Sequence, residues 1–450
     1  MTKPTDIRVL SVASTQELIK YRSPIKFGGR VVVDAVLLNV TLEVETRDGK
    51  RGQGFGSMPM GNVWAWPTDA ISTEQTQAAM LEFAKRLEKE VAAYKGVAHP
   101  LDITVDWGKK YQTIADEVVA AMKLPQPTPK LAQLVAASPF EAAIHDAQGK
   151  ALGVNSYNLL GPEFVSKDIA AYLEPAFAGE YLDRYTSRQP KAKMPLYHLV
   201  GALDPLTASD VATRIEDGLP NTLGEWILGD GLTHLKIKLN GDKLQWDVDR
   251  VVAVNRVAEE TQKMLGVSTW FYSCDFNERC ANVEYLLDFL AKLKELAPTA
   301  LGRLQYIEQP THRDLKAHPE NRMHRAAAIK PVVIDESLID LESFHLAREQ
   351  GYSGVALKAC KGHTEALLMG AAAQKYGMFL CVQDLSCPGY SFLHSSSLAA
   401  RIPTIVAIEG NSRQYCPSGN AAWKERFPTM FTIRDGSVGT SVLTGPGLGF

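Results

Sequence analysis

Between Val31 and Phe55 the chain alternates apolar and polar residues, "VVVDAVLLNVTLEVETRDGKRGQGF", a period of two that predicts strands with one face buried. Asp48-Gly49 interrupts the run, and that pair suits the tight turn of a β-hairpin. The pattern then shifts to helical spacing in "STEQTQAAMLEFAKRLEKEVAAY", with Ser72 placed to cap the helix. Sheet followed by helices predicts a small α+β domain over residues 1–137.

From about Ser138 short apolar runs alternate with helical stretches. The runs are "PLYHLV", "HLKIKL", "WFYSCDF", "LQYIEQ", "PVVIDE", "GVALKA", "FLCVQD" and "IVAIEG". They end near positions 200, 238, 275, 308, 335, 358, 384 and 409, so each interval holds one helix and a short loop. Parallel neighbours need that much chain between them. Eight such units predict a closed β/α barrel over 138–411, with a doubly wound open sheet as the alternative of the same local pattern. Residues 162–194 read as an insertion, and the Gly-, Pro- and Thr-rich segment 412–450 is expected to pack back on the small domain.

Composition narrows the partners. The 450 residues are 45% apolar and 22% charged, which supplies a core and argues against disorder. Near balance of 48 basic and 51 acidic residues leaves no basic field for nucleic acid or an anionic membrane, so a small molecule is the expected partner. The opening "MTKPTDIRVLSVAST" lacks the apolar core of a signal peptide, and no later run crosses a bilayer without charges; the expected location is the cytoplasm. Six cysteines without a CxxC pair read as free buried thiols.

The strand ends carry the chemistry. Lys236 and Lys238 in "THLKIKLNGDK" lie two apart on one strand, so both ammonium groups emerge on one face at a cost in repulsion. Asp275, Glu308 and Asp335 end three successive strands, and three hard oxygen donors suit a divalent ion, magnesium first. Lys358 ends a strand four places further round a circle of eight, roughly opposite Lys238. Two lysines facing each other across a metal-bound substrate can remove a proton from one face and return it on the other. Lys236 is expected to help keep Lys238 deprotonated. Asp384, Glu409 and Arg413, near the seventh and eighth strand ends, are candidates to bind substrate groups or to form an ion-pair network. Trp64 and Trp66, with Met58 and Met60, read equally as a pocket wall or as interface packing.

These motifs in this order, "RDGKRGQGFG", "FEAAIHDAQGKALG", "LKIKLNG", "CDFN", "YIEQP", "VVIDES" and "GVALKACKGHTEAL", resemble the enolase superfamily, most closely the muconate-lactonizing-enzyme subgroup, over nearly the whole chain. The resemblance implies an α+β capping domain over a modified (β/α)7β TIM-type barrel and one Mg2+ held by Asp275, Glu308 and Asp335. It further implies abstraction of the proton next to a carboxylate through an enediolate, with Lys238 and Lys358 as acid/base pair and Lys236 in support. The segments "KYRSPIKFGG" and "GSMPMGNVWAWP" match the family's substrate-selecting capping loops in position.

Departures from the family narrow the reading. Asp384 stands where the mandelate-racemase subgroup has a catalytic His, and "IEGNSRQ" lacks the Asp-x-Asp that holds a dipeptide's ammonium, which speaks against both groups of substrates. His363 replaces a common glycine and reads as a loop side chain facing solvent. The leading function is a racemase or epimerase of a small carboxylic acid; acid-sugar dehydratase and cycloisomerase share the intermediate. A Schiff-base lyase and a non-catalytic metal and sugar-acid binding protein are the readings from other classes, and a homo-oligomer is compatible with the resemblance.

Overall fold

The structure, a computed structural model, describes residues 2–27 and 30–450. Strands β1 (Ile7–Phe27), β2 (Arg30–Thr46) and β3 (Arg51–Pro59) form an antiparallel sheet in that order. The turn at Asp48-Gly49 joins β2 to β3, and Gly49 supplies the positive φ, 86°, that the turn requires. β1 is an edge strand, exposed from Thr15 to Leu18, and so lacks the alternation that marks β2. "KYRSPIKFGG" belongs largely to β1, with an irregularity between Lys20 and Ile25; its Gly28 and Gly29 lie outside the described residues.

The helix Thr73–Ala93 starts with the reciprocal cap expected of Ser72, which exchanges hydrogen bonds with Gln75. A second long helix, Lys130–Leu152, lies against β3 so closely that Gly52, Gly54 and Gly56 face the carbonyls of Ala147, Ala143 and Pro139. A methyl at any of the three would overlap backbone, which explains the alternating glycines of "RGQGFG". The helix is buried on all sides from Leu131 to Gly149, so it shows no helical stripe, and the 137/138 boundary read from the sequence falls inside it.

Eight strands follow: β4 (Met194–Val200), β5 (His234–Lys238), β6 (Phe271–Asp275), β7 (Leu304–Glu308), β8 (Val332–Ile334), β9 (Gly354–Leu357), β10 (Phe379–Val382) and β11 (Ile408–Glu409). All neighbours are parallel, and β11 pairs with β4 as well as β10, which closes the barrel and rules out the open sheet. Each expected barrel strand is present. In the tail, β12 (Ser437–Val438) pairs antiparallel with β4, while Ser412–Tyr415 lies against β1. Segment 162–194 wraps the outer helices, with Glu180 paired to Lys375 and Glu174 bonded to Tyr376.

Side chains of period two layer the barrel interior. Tyr197, Tyr306, Val333, Ala356, Cys381 and Ala407 form an apolar floor. Two residues further along five of those strands come Glu308, Asp335, Lys358, Gln383 and Glu409, so the charged layer sits directly on the floor.

Candidate active site

The pairing register places Lys238, Asp275 and Glu308 side by side at the ends of β5, β6 and β7. Asp335 lies just past β8 and is fixed by Gln309, whose Oε1 accepts its backbone N–H at 2.9 Å and that of Ser337 at 3.2 Å. Gln309 adopts φ 31°, an uncommon conformation outside glycine, and its Nε2 donates to Thr311 O and Ser337 Oγ. One side chain therefore stitches the ends of β7 and β8 together.

Lys236, one layer below Lys238, reaches Glu308 and Glu409 at 2.8 Å each and Asp275 at 3.1 Å. Lys238 pairs with Asp275 and donates to Asn277 Oδ1 at 2.9 Å. Across the barrel Lys358 pairs with Asp335 at 2.9 Å. Lys361, three residues on and on the same face of a single 3-10 turn, pairs with Asp335 at 3.0 Å. All seven sequence-predicted residues from Lys236 through Glu409 other than Asp384 thus meet in one group.

The remaining candidates separate. Asp384 lies beyond β10, and its oxygens accept the backbone N–H groups of Asn411 at 3.2 Å and Cys387 at 3.3 Å. The inward position on that strand belongs to Gln383, which donates to Glu308. Arg413 does not join the group, nor does it pair with Asp384 or Glu409: it pairs with Asp230, bonds His198 at 3.1 Å and stacks on Trp226 outside the barrel. Trp66 is core, as are Met58 and Met60. Trp64 belongs to the site: its ring covers Lys358 Nζ at 4.5 Å, and its Nε1 donates to Glu336 at 3.0 Å. His363 is buried, not solvent-facing, and its Nδ1 lies 2.9 Å from His394 Nε2.

The charges explain the proton affinities. Burial opposes ionisation of Asp275, but Lys238 and Lys236 outweigh it and hold its pKa below the ordinary carboxylate range. Lys358 and Lys361 do the same for Asp335. Glu308 goes the other way, well above that range, because burial and the charge of Asp275 exceed the pull of Lys236. Burial, then Glu409, pushes Asp384 up to about 7; burial, then Asp335, pushes Glu336 up to about 7. Burial works against the ammonium of Lys236, yet Glu308, Glu409 and Asp275 raise its pKa well above the usual lysine range. Lys236 is thus held as an ammonium group whose charge three carboxylates balance.

Four buried ammonium groups, Lys236, Lys238, Lys358 and Lys361, meet the carboxylates of Asp275, Glu308, Asp335 and Glu409. Asp335 Oδ2 is buried with an ion pair but no hydrogen bond, and three hard oxygen donors stand on adjacent strands. The donor set fits Mg2+. Among the described residues no three His, Cys, Asp or Glu side chains stand in a ligating arrangement, because each of the three carboxylates is turned to an ammonium group.

The space above the group is small. A polar opening of about 30 Å3 reaches Lys238 between Lys26, Asn240, Asn277 and Arg279. A larger cavity, about 450 Å3, lies between Arg22–Pro24 and the loop after β4, and none of the four lysines lines it. Charge rather than volume marks the site. All six cysteines are buried and unpaired, and among the described residues no helix is long and apolar enough to cross a membrane.

Sequence reasoning overlooked Gln309, Lys361, Asn277, Glu336 and Gln383. Asn277 and Glu336 follow ligand positions within "CDFN" and "VVIDES", Lys361 repeats a lysine after three residues, and Gln383 is in phase with Cys381; those were the available signals.

Comparisons with known proteins agree with this architecture. No curated protein sequence matches the chain. An L-Ala-D/L-Glu epimerase from Bacillus subtilis, solved with substrate, superposes with TM-score 0.64 at 16% identity, covering 98% of each chain. A muconate lactonizing enzyme from Pseudomonas fluorescens complexed with muconolactone gives 0.61 at 19% identity over 98% of this chain and 96% of that one. An enolase from Bradyrhizobium complexed with magnesium and mandelic acid gives 0.60 at 15% identity over 99% and 96%. At these identities the likeness is one of fold. The sequence profile described as "Enolase C-terminal domain-like" matches residues 221–450, more than half of the chain, and the chain belongs to that family within the enolase superfamily.

Proposed function

We propose that this protein removes the proton next to the carboxylate of a small organic acid and returns a proton to the opposite face, as a racemase or epimerase. The observation that carries the reading is the pair Lys238 and Lys358, on strands four apart in a ring of eight, each ion-paired to a different carboxylate of the set between them. Asp275, Glu308 and Asp335 would hold Mg2+, and the Bradyrhizobium enolase of the same fold was solved with magnesium and mandelic acid. Bound there, the ion would supply positive charge to the substrate carboxylate as negative charge builds on it.

The chain's own residues do the rest. Lys238 Nζ takes or gives the α-proton on one face and Lys358 Nζ on the other. Lys236 stays charged below them and neutralises Glu308 and Glu409, which otherwise repel an anionic substrate. Asn277 Oδ1 orients the Lys238 amine, and Trp64 covers Lys358 from the cap, where it excludes water.

The test is α-proton exchange in D2O, followed by NMR with Mg2+ or EDTA over hydroxy, acylamino and sugar acids. Deuterium uptake with inversion and no new compound establishes the racemase or epimerase. Loss of water or ring formation replaces it with dehydratase or cycloisomerase on the same residues. Lys238→Ala should abolish uptake from one enantiomer and Lys358→Ala from the other; exchange that survives both substitutions refutes the assignment.

A further inference from the structure

One capping side chain touches one lysine of the proposed pair and reaches the other through two intervening side chains. The Trp64 ring lies over Lys358 Nζ at 4.5 Å and Lys361 Nζ at 5.7 Å. Its indole N–H points elsewhere, to Glu336 Oε1 at 3.0 Å. The same oxygen accepts from Asn277 Nδ2 at 3.1 Å, and Asn277 Oδ1 accepts from Lys238 Nζ at 2.9 Å. Glu336 Oε2 is buried without a hydrogen-bond partner among the described residues, so one oxygen carries both donors. Asn277 is held at φ 42° with its N–H on Asp275 Oδ1 at 2.8 Å, and its side-chain amide is oriented by Glu336 and Lys238 at 3.1 and 2.9 Å, with a longer contact to Asp275 Oδ2 at 3.5 Å.

We propose that Trp64 is a positioning residue that links the cap to both lysines by two separable routes. The ring face acts on Lys358 directly; the indole N–H acts on Lys238 through Glu336 and Asn277. The inference rests on reading Lys238 and Lys358 as the acid/base pair. Physically, the ring quadrupole favours an ammonium above it, whereas the N–H fixes the Glu336 carboxylate and with it the acceptor that Asn277 presents to Lys238. The opening beside Lys238 measures about 30 Å3 and lies between Lys26 and Arg279, away from Trp64, so both routes run through side chains already in contact.

The experiment separates the routes by substitution. Trp64→Phe keeps a ring face and removes the N–H; Trp64→Leu removes both; Glu336→Gln keeps an acceptor oxygen for both donors. Trace acetylation of the full chain with acetic anhydride in Mg2+ buffer, read per lysine by mass spectrometry against exposed Lys109, needs no substrate. Loss of one buried hydrogen bond is worth about 1 kcal/mol, or about fivefold. Trp64→Phe should raise labelling of Lys238 by that factor and leave Lys358 unchanged, Trp64→Leu should raise both, and Glu336→Gln should resemble the parent. Unchanged Lys238 labelling in Trp64→Phe, or an equal rise at both lysines, overturns the proposal. For any acid that exchanges, Trp64→Phe should slow uptake on the Lys238 face alone, and equal slowing on both faces counts against it. If no acid exchanges, the functional reading fails while the labelling result still decides this one.

Discussion

Replacing Lys236 by Met removes one charge and keeps the length and apolar stem of the side chain. The ammonium lies 2.8 Å from Glu308, 2.8 Å from Glu409 and 3.1 Å from Asp275, with 1% of its side chain exposed. Without it Glu308 keeps the amide of Gln383 and Glu409 keeps that of Asn411, a long contact at 3.4 Å. Stranding a buried charge by removing its partner costs about 3–5 kcal/mol. Glu308 escapes part of that cost by binding a proton, because burial and Asp275 already hold its pKa well above the ordinary range. The expected loss in Lys236→Met is about 3 kcal/mol at pH 8 in EDTA, measured by urea denaturation.

The sign of the pH dependence follows from the same groups. Lys236 has a raised folded pKa, so below the ordinary lysine range it is charged in both states and contributes no slope. Glu308 binds its proton more tightly when folded, so it favours the fold at low pH and this contribution fades as pH rises from about 4.5. The deficit of the variant should therefore shrink towards pH 5. Mg2+ at about 100 times its Kd adds about 2.7 kcal/mol to either protein, whatever that Kd is, and removal of Lys236 raises the affinity by leaving the carboxylates free. A loss under about 1 kcal/mol at pH 8, or one that does not vary with pH, would refute the view that Lys236 compensates these carboxylates.

Three further outcomes follow from other parts of the fold. Gly54→Ala pushes a methyl into the Ala143 carbonyl, and should cost about 3 kcal/mol or leave the chain insoluble, whereas Gly153→Ala, which meets nothing but has φ 65°, should cost about 1 kcal/mol in the same urea titration. Burial lowers the pKa of His99 to about 4, of His394 to about 3, and of His145 and His363 well below the ordinary range, so the unfolded state binds more protons below about pH 6.5. Each of the four favours the fold less as pH drops from about 6.5 towards 4, by about 1.4 kcal/mol per unit, so the difference in stability between His394→Asn and the parent should change by one such step over that window; an unchanged difference would count against the cluster. Burial raises Glu141 to about 8, which with the raised Asp384, Glu336 and Glu308 adds the opposite slope above about 4.5, so the variant is compared with the parent at each pH. Asp217→Asn breaks the ion pair that Arg22 makes at 2.5 Å with the loop after β4, and should speed proteolytic cleavage of that exposed loop with little change in overall stability, about 1 kcal/mol or less.

The barrel was legible because its strands are short, apolar and bounded by charge, and Asp275, Glu308, Asp335, Lys238 and Lys358 each close one. What the sequence obscured shares a cause. β1 is solvated over much of its length, so no alternation marks it, and Lys130–Leu152 is buried on every side, so no stripe marks it either. Asp384 attracts notice as a charge at a strand end, yet the inward phase of β10 runs through Cys381 and Gln383. Arg413 sits near Glu409 in the chain, but its carboxylate partner, Asp230, lies on a helix nearly two hundred residues earlier. Pairings of that separation are set by barrel closure and leave no local trace.

The two lysines are not equivalent, and that bears on the proposed reaction. Lys358 faces Asp335 and an aromatic ring, both of which favour its charged form, while Lys238 faces Asp275 and the carbonyl of an amide that is itself held by Glu336. A cation–π contact contributes about 0.5–2 kcal/mol to the ammonium and nothing comparable to the amine, so loss of a proton from Lys358 also loses that contact. The ring accordingly makes Lys358 the stronger base and the more reluctant donor. In the direction where Lys238 abstracts and Lys358 delivers, the proton leaves the lysine that the ring stabilises; in the reverse direction the ring favours uptake. Exchange without inversion should therefore differ between the two enantiomers of a substrate, and Trp64→Leu should bring the two closer together.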